Sequence, residues 1–454
     1  MKRDDAALAQ LSATLRADPP ADAVIGAILG PLDDGPDMAA IALLNREIAR
    51  WQHNADLDGW RAGADLPSHV AAALEGYVAA ARSLPAWADP ARIARAEQLF
   101  MELGMTSCTL LFCASLPQCY VVPDLAAVLH VAGQLEQHTD YRVRATAAMI
   151  FPVMMRGGLT DAAGGGVAQA LKVRLIHATI RHLILRGAPA HAGHPLPKLP
   201  AQGPGMQQAL YAHGWDTGRL GLPCNQEELA YTLLTFGYVF LQGLRRLGIG
   251  LPAADEEAFL HAWNVLGHLL GIERGLMADT MDEARAMFEA IQACGRAAAR
   301  TPDPRPALGR ALVGNLRAYI PLDILKPFPA LLTRHLCGKA ASRDLGLEGG
   351  VAWASRLAFA LAMGALRAID RTGRRFSPGF SLARLASRIL GYHLTVTLLM
   401  DQTRPLKLPD ALLNQVGSVV RAWQADPHAP RWMNAVEYRF TGRSRSAVPA
   451  HERP

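Results

Sequence analysis

Residues 170–185, ALKVRLIHATIRHLIL, constrain the fold of this chain more than any other stretch. Apolar residues recur around most of the circumference that a helix over this stretch would present. Leu171, Leu175 and Ala178 mark one apolar face. A helix with so little polar surface has to be packed inside a larger body. The stretch therefore predicts a buried helix within an extensive core.

The rest of the chain favours an all-α fold. Half of the 454 residues are hydrophobic but only 6% are aromatic, and no long run alternates in the manner of a half-buried strand. A helix is predicted to begin near Val167, after the glycines at 164–166. A second is predicted after Asn225, which with Glu228 resembles a capping box ahead of the apolar run 229–241.

Proline, glycine and charge patterns divide the chain into regions. A Pro- and Gly-rich stretch at 186–205 cannot be helical, and a loop of that length is typical of a functional lid or rim. The same patterns mark helices between Pro- and Gly-bearing turns over residues 1 to about 90, a short linker at 301–306 before another helical set, and a disordered tail at 443–454.

Charge and hydropathy exclude several classes of protein. The formal charge of +6 is spread along the chain without a block of like charges, which argues against nucleic-acid binding. The N-terminus lacks the apolar region of a secretory signal. The apolar run 229–241 is too short to span a bilayer, and Arg356 and Arg367 interrupt the longer segment 351–369. A cytoplasmic protein without a transmembrane segment is expected.

The six cysteines show no metal or haem-attachment spacing. Without an export signal we expect them to be reduced and to pack as apolar core residues.

The buried helix at 170–185 carries Arg174, His177 and Arg181 on one face, because positions three and four residues apart are neighbours. Burying an unpaired guanidinium costs several kcal/mol, so both arginines need anionic partners. Carboxylates from neighbouring helices would serve, and so would a bound ligand with two acidic groups. Haem b is such a ligand, and its iron accepts imidazole. Each arginine lies roughly 4.5–6 Å along the axis from His177, so one cofactor could touch all three. The sequence leaves both explanations open.

A second helical stretch, YRVRATAAMIF at 141–151, presents Arg142 and Thr146 on one face. The small residues Ala145, Ala147 and Ala148 would let a flat macrocycle approach the backbone. A hydroxyl and a guanidinium over an open surface suit the polarisation of bound dioxygen. The alternative is an exposed arginine and an ordinary helical threonine.

Other catalytic and metal patterns are weak or absent in the sequence. His191 and His194 have H-x-x-H spacing in the Pro/Gly stretch but no third ligand nearby. His261 and His268 share a helix face within a packed W-N-V-L-G pattern, which favours a core or pocket role over metal binding. There is no H-E-x-x-H, no G-x-S-x-G, no P-loop and no pair of E-x-x-H motifs.

The order of these motifs is similar to that of the latex-clearing-protein and MpaB-type oxygenase family. Arg142-x-x-x-Thr146 precedes a glycine-rich break and then V-R-L-x-H-A-x-x-R around His177. Trp215, LPCNQEELAYTLLTFGYVF, HAWNVLGHLLGI and the closing segment RALVGNLRAYIPLDILKPFPALLTRHLCGKAASRDLGL follow in order. The resemblance covers roughly residues 105–350. It implies a haem-binding oxygenase core at 105–350, with an N-terminal helical region at 1–104 before it and C-terminal helices at 351–442 after it.

This resemblance implies a globin-like, all-helical core that holds haem b. It implies that His177 is the iron ligand, that Arg174 and Arg181 lie near the acidic groups of the cofactor, and that Arg142 and Thr146 stand on the oxygen-binding side. It also implies a dioxygenase that cleaves carbon–carbon double bonds of polyisoprene, an isoprenoid or a similar apolar chain to carbonyl products.

Two departures put rubber itself in doubt as the substrate. Ala145 stands where rubber-cleaving members have a lysine that can reach the iron. Their catalytic glutamate has no clear counterpart, although Asp124, Glu136 and Asp140 are candidates. Two alternatives remain: a peroxidase-like or sensing haem protein, and a non-catalytic helical scaffold whose arginines pair with internal acids.

Overall fold

The computed structural model describes residues 13–30, 38–131, 139–186, 215–297, 303–318, 326–373, 380–400 and 429–441, with Arg375 and Asp426. Regular structure in these segments is helical, and they contain no strand. The predicted all-α class is confirmed. The predicted tail at 443–454 and the Pro/Gly stretch beyond residue 186, with His191 and His194, lie outside the described residues.

The helices are numbered here in chain order, leaving out single turns. They are α1 Pro19–Leu29, α2 Met38–Ala49, α3 Ser68–Ala81, α4 Pro90–Leu103, α5 Met105–Cys119, α6 Pro123–Val131, α7 Thr139–Met154, α8 Gly166–Arg186, α9 Gln226–Phe236, α10 Tyr238–Arg246, α11 Ala253–Leu269, α12 Met281–Ala297, α13 Arg305–Ala318, α14 Phe328–Asp344, α15 Trp353–Gly373, α16 Leu382–Met400 and α17 Arg431–Thr441.

Helix α5 lies within the core, and every one of its residues is buried. A π turn over Leu111–Ser115 interrupts its α-helical hydrogen bonding. Helix α16 packs against its first half at very short range, because Gly391 has no Cβ: one built there would lie 1.8 Å from the carbonyl oxygen of Met105. The hydroxyl of Thr109 donates to the carbonyl of Ser387 at 2.8 Å across the same contact. Glycine at 391 therefore sets how closely the two helices pack.

The capping interaction predicted at Asn225 is present. The Asn225 side chain accepts a hydrogen bond from the backbone N–H of Glu228 at 3.0 Å. The apolar run that follows forms two helices rather than one, because α9 ends at Phe236 and α10 begins at Tyr238. Gly237 stands at the break, where a Cβ would come within 3.4 Å of the Leu260 side chain on α11. The chain breaks where a small residue lets α11 approach.

No single helix in the described residues is long and apolar enough to cross a membrane. Helices α4 and α5 pass that test only as a joined pair, and they are bent by 89° where they meet.

The six cysteines all lie in described segments, and none forms a disulfide. Five are buried and Cys294 is exposed. This distribution agrees with the apolar core role expected for most of them.

Candidate functional site around His177

The helix that carries the predicted site, α8, begins at Gly166, one residue before the predicted start. A distant side chain caps it. The Asn54 Oδ1 accepts from the backbone N–H groups of Val167 at 3.0 Å and Ala168 at 3.3 Å. The Asn54 Nδ2 donates to the carbonyls of Gly158 and Asp161, each at 2.9 Å. Asn54 thus joins the glycine-rich turn before α8 to the first turn of the helix and satisfies N–H groups that helix ends leave unpaired.

Helix α1 runs along α8 and anchors it at three successive points. Asp18 accepts from Arg174 Nε at 2.6 Å and Nη2 at 2.8 Å. Asp22 accepts from Arg181 Nε at 2.8 Å. The carbonyl of Gly30, just beyond α1, accepts from Arg186 Nη2 at 2.7 Å. The contacts follow the same order along both helices, so α1 and α8 are parallel here. We call this set of contacts the arginine ladder.

The arginine ladder answers the charge question that the sequence raised. Burial opposes the charge of Arg174, but the hydrogen bonds and charge of Asp18, with smaller contributions from Tyr77 and Asp22, outweigh it and raise the pKa of Arg174. Arg181 is 2% exposed, and its Nη1 donates to the carbonyl of Cys224 at 2.9 Å. Of the two explanations left open, carboxylates from a neighbouring helix are the one present. A role for Arg174 and Arg181 as cofactor contacts stays a prediction carried by the resemblance.

Gly271 packs directly against the Asp18–Arg174 ion pair, the first contact of the arginine ladder. Its φ of +83° lies in the left-handed region, and a Cβ there would be 2.6 Å from Asp18 Oδ2 and 2.9 Å from Arg174 Nε. The carbonyl of Gly271 accepts from the Gln226 side chain at 2.8 Å. Only glycine meets both the conformation and the space, since other L-residues are strained at positive φ. The tight cover keeps the Asp18–Arg174 pair away from water.

His177 lies between Arg174 and Arg181 on α8 and is half-buried. At 100° per residue its side chain leaves the helix within about 60° of both arginines, at the edge of the face that meets α1. The preceding residue, Ile176, is 42% exposed. The imidazole is a suitable donor for iron, and the apolar, partly open surface beside it suits the edge of a porphyrin. The ladder arginines fit less directly, because their charges are already neutralised by aspartates.

Helix α7 packs against α8 and carries the second predicted pair. Thr146 is half-buried. Arg142 lies in the same helix, but its side chain is outside the described residues, as is that of Ala145. Further along α7, Ile150 and Phe151 are each 1% exposed, and Phe151 packs edge-on against Phe100. That end of α7 is part of the packed core.

A strained residue links α8 to the start of α9. Cys224 has φ +52°, the single positive φ among the described residues other than glycine. Its carbonyl accepts from Arg181. Its backbone N–H lies near the Glu228 carboxyl group, where it offsets a small part of the rise that burial causes in the pKa of that group. Such conformations persist where surrounding contacts hold them, and they cluster at functional sites. The backbone of Cys224 therefore connects Arg181, the second arginine of the ladder, to the buried acid Glu228.

Three acidic side chains meet at this junction. Burial, followed by the charge of Asp124 on α6, raises the pKa of Glu228 to about 8 and that of Glu227 to about 7. Groups with pKa values near neutrality can accept and release protons under physiological conditions. Of the three acids considered above as counterparts of the family's glutamate, Asp124 belongs to this cluster. Glu136 lies outside the described residues and the Asp140 side chain is not described.

The histidines of α11 have packing roles. His261 Nε2 accepts from the backbone N–H of Asp89 at 2.9 Å. His261 and His268 both pack edge-on against Trp87, with ring centroids 5.7 and 6.2 Å away. No group of three or more histidine, cysteine or carboxylate side chains in the described part of the chain is arranged to hold a metal ion. A metal held by protein side chains alone is not supported there.

The family model described as "ER-bound oxygenase mpaB/B'/Rubber oxygenase, catalytic domain" matches residues 104–368. The chain belongs to this family. It is 26% identical over 337 residues to a rubber oxygenase of Streptomyces sp. (strain K30), covering 73% of this chain and 69% of that protein.

A solved structure of latex clearing protein in the closed state superposes on 92% of this chain and 93% of its own, with a TM-score of 0.58 and 20% identity. That likeness supports the fold. The matched family range contains Arg142, Thr146, Arg174, His177 and Arg181, which all came from sequence. It omits Asp18 and Asp22, which sequence reasoning missed. In the sequence, Asp18 and Asp22 are visible only as two acids one helical turn apart in DPPADAV. Nothing in that segment indicates that their partners are Arg174 and Arg181.

Proposed function

We propose that this family member is a haem b-dependent oxygenase in which the imidazole of His177 would bind the iron. When bound, haem supplies the chemistry of dioxygen activation, which protein side chains cannot supply themselves. The proposed reaction is the cleavage of a carbon–carbon double bond in an isoprenoid, polyisoprene or similar apolar chain, with carbonyl products. Membership of the family supports oxygenase chemistry, and the resemblance around His177 supports the ligand.

The observation that carries the proposal is the anchoring of α8 on both sides of His177. Arg174–Asp18 lies one turn before it and Arg181–Asp22 one turn after it. Asn54 holds the start of the same helix. A metal ligand works best on a rigid element whose neighbours fix its orientation. Arg174 and Arg181 are in this reading positioning residues: they hold the helix that presents the imidazole.

The substrate side would be formed by α7. Arg142 and Thr146 are the proposed residues that orient dioxygen by hydrogen bonding, with Thr146 the one whose half-buried position is described. Ala145 has no side-chain atom that could bind a metal, so this position lacks the lysine of the rubber-cleaving members. An apolar substrate would displace water from the reacting atoms. In such apolar surroundings, hydrogen bonds from Arg142 and Thr146 to a developing negative charge are stronger than in water.

An absorption spectrum tests the ligand. Protein expressed with added haem is expected to show a Soret band, which is lost or strongly shifted in His177→Ala. His182→Ala is the matched control: burial lowers the pKa of His182 to about 4, so it is a neutral, half-buried imidazole on the same helix. A spectrum unchanged in His177→Ala but altered in His182→Ala would overturn the assignment. A colourless wild type would favour the scaffold.

Product analysis tests the reaction separately. Oxygen uptake is measured with polyisoprene and with a panel of terpenoids, and products are examined by mass spectrometry for carbonyl fragments. The proposal expects uptake with carbonyl products for at least one substrate and their loss in Thr146→Ala. Haem-bound protein that consumes no oxygen with any alkene would instead indicate a peroxidase-like or sensing role.

A further inference from the structure

A cleft of about 330 Å³ lies between α13, α14 and the loop before α15, away from the arginine ladder. Three arginines line it: Arg310 and Arg317 on α13, and Arg334 on α14. Positions 310 and 317 are two helical turns apart, so their side chains leave α13 on the same face. We call this the arginine cleft.

The arginine cleft has little compensating negative charge. Among the described residues neither Arg310 nor Arg317 has an ion-pair partner. Arg334 donates to the carbonyl of Gly349 at 2.7 Å, and its Nε is buried without a hydrogen-bond partner in the described structure. Glu348 is the acid whose charge acts on Arg334, and it also lies 3.7 Å from Arg343. The three arginines therefore line the cleft with Glu348 as the one carboxylate, within the described segments, shown to act on any of them.

Gly314 keeps the cleft open. It lies between Arg310 and Arg317 on α13 and has no atom within 4 Å of where a Cβ would be. A side chain added here would begin in open space, on the helix face that carries Arg310 and Arg317.

An exposed apolar face begins directly beside the cleft. Trp353, Leu357 and Leu361, on successive turns of α15, are 76%, 50% and 64% exposed. Their four-residue spacing places them on one face. Arg356 and Arg367, both exposed, are three turns apart and follow one edge of it. Large exposed apolar patches mark interaction sites, and a tryptophan with flanking arginines is typical of helices that lie at a lipid surface.

Several contacts connect the arginine cleft to helix α15. Val351 lines the cleft and α15 begins two residues later. Arg356 donates to the carbonyl of Glu348 at 3.0 Å, and its charge acts on Arg334. The acidic residue of α15, Asp370, is 4% exposed and accepts from the Ser381 hydroxyl at 2.9 Å, so it adds no charge to the outer face. Cleft and helix present one continuous cationic and apolar surface.

We propose that this surface docks on anionic lipid: the exposed face of α15 lies in the membrane interface, and the arginine cleft receives the phosphate of a lipid head group. Phosphate matches the geometry of guanidinium groups, which can bind it with paired hydrogen bonds. The apolar stripe matches the acyl chain boundary, where tryptophan and leucine side chains are stabilised. The proposal stands independently of haem binding and of the reaction catalysed at His177.

Charge complementarity favours lipid over other occupants. A second copy of the chain would bring one set of arginines against another, and like charges at an interface are unfavourable. The segments of twelve or more residues outside the described structure are 1–12, 187–214, 401–425 and 442–454, and each has at least as many basic as acidic residues. None offers the negative charge that the surface calls for.

Vesicle co-sedimentation of the full chain tests the proposal. We expect binding to mixed phosphatidylcholine–phosphatidylglycerol vesicles, weak binding to phosphatidylcholine alone, and release at high salt because the attraction is screened. Leu357→Asp with Leu361→Asp is expected to weaken binding about tenfold or more by removing buried apolar area and adding repulsion. Leu15→Asp is the matched control, because Leu15 is 61% exposed in another part of the chain.

The cleft is tested by its own variants. Arg317→Ala should weaken binding about fivefold, the effect of one cation near a lipid surface. Gly314→Glu should weaken it at least as much, since it places a carboxylate between two arginines at a position with free space. Circular dichroism and thermal unfolding establish that each variant is folded.

Three results would overturn the proposal. The first is equal binding by the α15 variants and the wild type. The second is concentration-dependent self-association without lipid that the α15 variants abolish, which would make a second copy the occupant. The third is binding of duplex DNA that displaces the vesicles with equal affinity, which would indicate a general polyanion surface.

Discussion

The arginine ladder of α8 and the arginine cleft of α13 and α14 look alike in sequence and differ in structure. Both place arginines about two turns apart on a helix, at 174 and 181 in one case and at 310 and 317 in the other. Arg181 is buried against Asp22, and Arg174, whose side chain is 12% exposed, is paired with Asp18. The cleft arginines are exposed and face a cavity.

The difference shows that burial decides whether an arginine requires an anionic partner within the protein. A guanidinium that leaves water must have an anion built into the fold, because the desolvation cost is several kcal/mol. An exposed one keeps its hydration and remains available to a ligand. The ladder arginines therefore hold helix α8 in place, whereas the cleft arginines remain available to bind an anion from outside the protein.

The largest expected effect comes from removing the charge of one ladder acid. Asp18→Asn keeps the size of the side chain but leaves buried Arg174 without its anion, so we expect a loss of about 3–5 kcal/mol of folding free energy. Asp65→Asn is the control: its partner is Arg46, and the two side chains are 62% and 50% exposed, so we expect a loss below about 1 kcal/mol. Denaturant unfolding measures both. Similar small losses in the two variants would break the comparison.

Glu228, the buried acid next to the arginine ladder, should make the stability of the protein depend on pH. Unlike Asp18, it stabilises the fold when it is protonated rather than when it is charged. The pKa of Glu228 is about 8 in the folded protein against 4.5 as its ordinary value. Between these values the folded chain holds a proton that the unfolded chain has released, so stability falls as pH rises through this window. Glu228→Gln should remove much of that fall, on the order of a few kcal/mol.

Melting temperatures at intervals from pH 5 to pH 8 measure this effect. Glutamine is the suitable replacement because it has nearly the same size as glutamate and does not ionise, and the Glu228 backbone N–H that Asn225 caps is unchanged. A variant with the same pH dependence as the wild type would show that Glu228 is not protonated in the fold. Glu227 is expected to leave a smaller residual slope in the same direction.

Two glycines beside arginines should respond in opposite directions. Gly271→Ala places a Cβ against the Asp18–Arg174 pair and imposes positive φ on alanine, a cost of at least about 1–2 kcal/mol. Gly314→Ala enters open space within a helix and should stabilise the protein by about 0.5–1 kcal/mol. Thermal unfolding of the two variants side by side decides the matter. A gain for both would contradict the tight cover that Gly271 provides.

The smallest expected effect on stability is at the cleft. Arg317→Ala should change the free energy of unfolding by no more than about 0.5 kcal/mol, because an exposed arginine without a carboxylate partner in the described structure contributes little. Arg181→Ala should cost several times as much, since it leaves Asp22 and the Cys224 carbonyl without their donor. Equal losses would show that the two regions are not different in kind.

Local features of the site were predictable and distant ones were not. The start of α8 near Val167, the cap at Asn225 and the shared face of Arg174, His177 and Arg181 follow from spacing within one helix. Asp18 lies 156 residues before Arg174 along the chain. Nothing in a single sequence relates positions so far apart, because their contact arises only when α1 packs on α8.

The same holds for the conformations that only packing can impose. The positive φ of Cys224 and the close approach of Gly271 to an ion pair leave no local pattern. The apolar run at 229–241 predicted a helix correctly, but its break at Gly237 depends on how α11 packs against it.

The amino-acid sequence by itself determined the helical class, the family and the residues proposed to serve the iron, because each depends on spacing along one segment or on the order of motifs. The tertiary structure alone decided which arginines are neutralised and which remain open, because that depends on whether a carboxylate from a distant helix reaches a guanidinium before water or a ligand does.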